Sequence, residues 1–78
     1  MKLDEDVVFL TNGIQRAVHG KVIVTRKATS FCICIRHDVY NHIYFYNLPY
    51  DNFMEHKLKI IHEIIEEYRY TVMHDFMK

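Results

Sequence analysis

The sequence predicts an α+β domain: a three-stranded antiparallel meander packed on a long C-terminal helix, with an N-terminal segment that is also helical. Three observations carry this. Runs dense in β-branched and aromatic residues occur three times between residues 21 and 47, separated by short turns. After Pro49 there is neither Gly nor Pro. Over residues 51–76 apolar side chains fall at Met54, Leu58, Ile61, Ile65, Tyr68, Val72 and Phe76, one stripe on one side of a helix. The 78 residues form one domain, 1–78, near the size at which a single core is barely sufficient.

Residues 4–19 are read as a helix with Asp4 as its cap, a Val7, Leu10, Ile14, Val18 stripe, and His19–Gly20 as its end. Gly13 costs that helix about 1 kcal/mol. Two alternatives stay open: a hairpin turning at Asn12–Gly13, or a strand at 6–10 followed by a short helix at 13–19 capped by Asn12 and Gln15. The strands are KVIVTRK at 21–27, FCICIR at 31–36 and HIYFYN at 42–47. Ala28–Ser30 turns the chain once, and Asp38 and Asn41 suit the second turn. Connections this short favour an antiparallel meander. Asp51 or Asn52 is the expected cap of the long helix, with Glu55 complementing its first turn.

Alternation then assigns the faces of the sheet. One face takes Phe31, Ile33, Ile35, Ile43 and Phe45, and is expected under the long helix. The other takes Cys32, Cys34, Arg36, His42, Tyr44 and Tyr46, joined by one of the two faces of the first strand. The formal net charge is zero, but Arg16–Arg36 holds five bases and no acid, whereas six acids lie in 51–78. A sheet face with basic groups and rings suits nucleic acid, with Lys21, Arg26, Lys27, Arg36, Tyr44 and Tyr46 as the candidate contacts. The helix–strand–strand–strand–helix order is similar to that of double-stranded-RNA-binding domains. The resemblance is one of element order: those domains carry a basic cluster at the start of the last helix, where this chain has Asp51 and Glu55.

Chemistry finds no foothold in the sequence. No nucleophile–base arrangement or glycine-rich phosphate loop is recognisable, and enzymatic activity is not expected. Cys32, Cys34 and His42 lack the paired spacing of structural zinc, and His62–Glu66 lacks the second His of a zincin helix. No metal, cofactor or small-molecule substrate is expected. Cys32 and Cys34, two apart on a strand, are spaced poorly for a disulfide, and the acidic start does not lead into a signal peptide or membrane span. The expected compartment is the cytoplasm.

What remains is surface. A helix of 26 residues is about 39 Å long, against about 25–30 Å for a globule of this size. Its overhanging end points to a homodimer, or another protein partner, through Tyr68, Val72, Met73 and Phe76. The leading expectation is a small protein-interaction or regulatory module of the accessory or inhibitor kind found in bacteria and phages. The alternative is nucleic-acid binding through the basic, Tyr-bearing sheet face.

Overall fold

The computed structural model describes residues 2–76, with side chains described over 4–74. Helix α1 (Lys2–Gln15) leads into strands β1 (Gly20–Arg26), β2 (Ser30–His37) and β3 (Ile43–Pro49), then helices α2 (Tyr50–Glu55) and α3 (Lys57–Phe76). The sheet is an antiparallel meander in the order β1-β2-β3. Helices cover one face of it, and the predicted α+β architecture holds.

α1 starts and ends earlier than its sequence stripe suggests. Asp4 does not cap it but lies in its first turn, where its carboxylate accepts from Arg26 Nη1 at 2.6 Å. The helix stops at Gln15, not His19–Gly20, because Gln15 turns its side chain to the sheet. Its Nε2 donates to the Gly20 carbonyl at 2.6 Å, and its Oε1 accepts from Val22 N–H at 3.1 Å. Gly20 allows the close pairing that follows: a Cβ there would stand 2.2 Å from the Arg36 carbonyl oxygen. The second turn uses Asn41 at φ 52°, a left-handed conformation that Asn tolerates better than most residues.

The C-terminal helix is not one rod. The chain breaks at His56 (φ −139°, ψ 53°), whose carbonyl then accepts the first hydrogen bond of α3 from Ile60 N–H. Pro49, not Asp51 or Asn52, stands at the cap position of α2, and it makes no side-chain capping bond. The break changes which residues go inside. Phe53 is fully buried, with its ring edge-on to Phe31 at 5.4 Å. Met54 and Leu58, which the continuous stripe placed in the core, are 37% and 76% exposed. Beyond the break the predicted periodicity resumes, and Ile61, Ile64, Ile65, Tyr68 and Val72 are all buried.

One core joins the layers. Leu10 and Ile14 from α1, Val22, Phe31, Ile33, Ile35, Tyr44 and Leu48 from the sheet, and Phe53 and the α3 stripe form a single cluster. An ion pair crosses it at the break. Lys57 Nζ donates to Asp6 Oδ1 at 3.0 Å and lies 5.5 Å from the centroid of the Phe53 ring. The Asp6 side chain is 4% exposed, and its second oxygen has no hydrogen-bond partner among the described residues. Removing the lysine leaves a buried carboxylate uncompensated. Lys57→Ala is therefore expected to destabilise the fold by about 2–3 kcal/mol. Arg26→Ala, whose partner Asp4 is 66% exposed, should cost no more than about 1 kcal/mol. Urea denaturation of the two variants checks the ranking, and equal losses would contradict it.

Candidate functional site

The uncovered face of the sheet is where exposed apolar and basic groups converge. Cross-strand register defines it. Leu48 pairs with Phe31, Tyr46 with Ile33 and Tyr44 with Ile35, so these six point into the core. Asn47 with Cys32, Phe45 with Cys34 and Ile43 with Arg36 therefore point away. On β1 the outward residues are Lys21, Ile23 and Thr25, opposite Arg36, Cys34 and Cys32.

This reverses the parity expected for the third strand. Ile43 and Phe45, expected in the core, are 46% and 68% exposed, while Tyr44 is buried and Tyr46 half-buried. The physical reason lies at the strand's end. β3 runs on to Pro49, and the position two beyond Tyr46 is Leu48, an inward apolar residue; two beyond Phe45 is Asn47. A strand ending at Asn47 would carry no such signal. Phe45 is thus the site residue that sequence reasoning missed, and the parity of Leu48 was the clue that could have found it.

The predicted basic, Tyr-bearing face consequently does not form as drawn. Lys21 and Arg36 come together as a directly opposed pair on the open face. Arg26 shares the core-side parity of Val22 and Val24 and is held by Asp4. Lys27 lies in the β1–β2 turn, where its N–H donates to the Ser30 carbonyl, and its own carbonyl accepts from the Tyr50 hydroxyl. Tyr44 and Tyr46 stand on the opposite side of the sheet.

The face that does form has three rungs. The middle one, Ile23–Cys34–Phe45, is apolar from edge to edge. To one side lies Lys21–Arg36–Ile43, to the other Thr25–Cys32–Asn47, where Asn47 Oδ1 accepts from Ser30 Oγ at 2.9 Å. None of these side chains is a carboxylate. Two like charges opposed on one rung cost the sheet a few tenths of a kcal/mol, so an anion placed between them is favoured twice over. Cys32 and Cys34 are both free thiols, half-buried on this face. Among the described residues no three His, Cys, Asp or Glu side chains gather as a metal site, and no helix is long and apolar enough to cross a membrane.

The predicted helix-end interface fares differently. Tyr68 and Val72 are buried within the chain's own core, so they do not face a partner. Tyr68 packs edge-on to Tyr44 at 5.1 Å and stacks beside His37 at 6.3 Å. Met73 is 55% exposed, while the Phe76 side chain lies outside those described. Compared with known proteins, the chain matches no family model, no curated protein and no solved structure.

The inward phenols are tuned by their surroundings. Burial pushes Tyr46 up to about 12, helped by the charge of Glu67 and by Tyr44 and Tyr68, against a smaller opposing hydrogen bond with Thr71. Burial also raises Tyr68, with Tyr44 and Asp38 adding to it. A group whose folded pKa is raised contributes stability below its unfolded value and loses it as pH climbs toward the folded one. Stability should accordingly fall between pH 10 and about 12. Denaturant midpoints across that window, followed with tyrosine absorbance, test this, and Tyr46→Phe should flatten the fall.

Proposed function

We propose that the chain is a non-enzymatic protein-interaction module that docks an acidic, apolar-bearing segment of a partner protein on its open sheet face. The observation that carries the proposal is the uncovered rung Ile23–Cys34–Phe45 beside the Lys21–Arg36 pair. Apolar side chains at the centre with charge at the rim is the usual anatomy of a protein interface. The face is about 14 Å across its three strands, which matches the width of one helix, about 10–12 Å with side chains. Its size favours a single segment over a broad domain surface. Its charge selects that segment: Lys21 and Arg36 make carboxylates the complement at their end of the face, while Glu63 and Glu67 line the cleft beside Phe45 at the β3 edge and leave that side to apolar groups.

Nucleic acid is the less well supported occupant. Single-strand platforms stack successive bases on several rings. With Tyr44 and Tyr46 turned inward, Phe45 is the one ring among the described residues of this face.

Panning displayed random 12-residue peptides against the purified chain tests the reading. Enriched sequences should combine Asp or Glu with Leu, Ile or Phe. Their affinity should drop more than tenfold for Phe45→Asp, and should also fall for Lys21→Glu with Arg36→Glu. Peptides that bind Phe45→Asp as well as the parent would refute the proposal. So would preferential binding of a single-stranded oligonucleotide that weakens steeply with salt.

A further inference from the structure

A second apolar surface lies on the opposite layer, where α1 and the start of α3 meet in a groove of about 460 Å³. Gly13 lets the helices approach, since a Cβ there would stand 3.0 Å from Ile61 Cδ1. Val8, Phe9 and Leu58 line the groove and stay 58%, 41% and 76% exposed. Adjacent apolar groups left this open mark a surface that associates. Its two ends carry opposite charges, Glu5 at one and Arg16 at the other. Neither forms an ion pair with a described residue, although Asp4 and Asp6 on either side of Glu5 both do.

We propose that this groove seats a second copy of the chain, with the two α1 helices lying antiparallel about a twofold axis. Setting Glu5 opposite Arg16 of the second copy places Phe9 opposite Asn12 and Val8 opposite Gly13, the one position of α1 without a side chain. The opposed charges then meet twice, once at each end. A parallel arrangement would set Glu5 on Glu5 and Arg16 on Arg16, so charge selects the antiparallel one. A foreign helix would need a base and an acid about 17 Å apart with apolar groups between them, and α1 together with Arg16, which follows it, supplies that pattern to itself. The contact is self-complementary, as a twofold interface requires. It is also short, running along one helix of 14 residues, so the dimer should be reversible and concentration-dependent.

Sedimentation velocity on the full chain over a concentration series reads this directly. The mass should rise from 9.5 kDa toward twice that value. Glu5→Arg alone and Arg16→Glu alone each oppose like charges at both ends, and each should weaken association about tenfold. Mixing these two variants in equal amounts restores opposite charges at both ends, and association should return. Leu58→Asp should dissociate the dimer while leaving the far-ultraviolet circular dichroism unchanged. A chain that stays monomeric throughout would overturn the proposal. So would a dimer that ignores both charge reversals, or one that the mixture does not rescue.

Discussion

The parity of β3 governs the rest of this molecule. Because side chains alternate strictly along a strand, placing Leu48 opposite Phe31 commits Tyr46 and Tyr44 to the core and Asn47, Phe45 and Ile43 to the outside. A slip of one residue would exchange the two sets. The register is held at both ends of the strand. At its start the left-handed Asn41 closes the turn, with Asn41 N–H donating to the His37 carbonyl. At its end Tyr50 N–H donates to the Thr29 carbonyl, tying the start of α2 to the β1–β2 turn. The inward rings then bridge the layers at two places, Tyr44 to Tyr68 and Phe31 to Phe53.

The break at His56 follows from the same requirement. Phe31 meets two rings edge-on beneath the end of the sheet, Tyr50 at 4.7 Å and Phe53 at 5.4 Å, and Phe53 sits there with no exposed surface. Burying a phenylalanine is worth roughly 1.5–3 kcal/mol, which works against the cost of an interrupted helical turn. After the break α3 follows its own stripe, and Lys57 at its first position reaches back to Asp6 on α1. The interruption thus has its own tether, one that joins α1, α2 and α3 where their hydrogen-bond ladders do not.

Much of the architecture was legible in the sequence, because it rests on local signals. The β-branched run KVIVTR, the alternation of FCICIR and the periodicity of Ile61, Ile65, Tyr68 and Val72 each declare an element. What was not legible depends on non-local choices. Ile43 and Phe45 look like core residues by composition, and only the pairing of Leu48 with Phe31 turns them outward. Met54 and Leu58 satisfy the helical period, but the break at His56 puts Phe53 inside and leaves both of them exposed. Each misreading swaps one apolar set for its neighbour, and each therefore displaces a candidate surface: the basic, Tyr-bearing face in the first case, the continuous helical rod in the second.

The three acids that open the chain show how one short stretch is divided among three tasks. Successive helical residues point about 100° apart, so Asp4, Glu5 and Asp6 cannot share a face. Asp4 turns to the sheet and holds Arg26, Asp6 turns to α3 and holds Lys57, and Glu5 is left for the groove. The two proposed surfaces consequently fall on opposite layers and do not compete. Two copies joined through α1 would stand helix layer to helix layer, with both open sheet faces turned outward. A partner bearing two acidic, apolar segments would then meet two copies of the Ile23–Cys34–Phe45 rung on one dimer. The second contact would form at the raised effective concentration set by the first, which lets two modest interfaces act as one strong one.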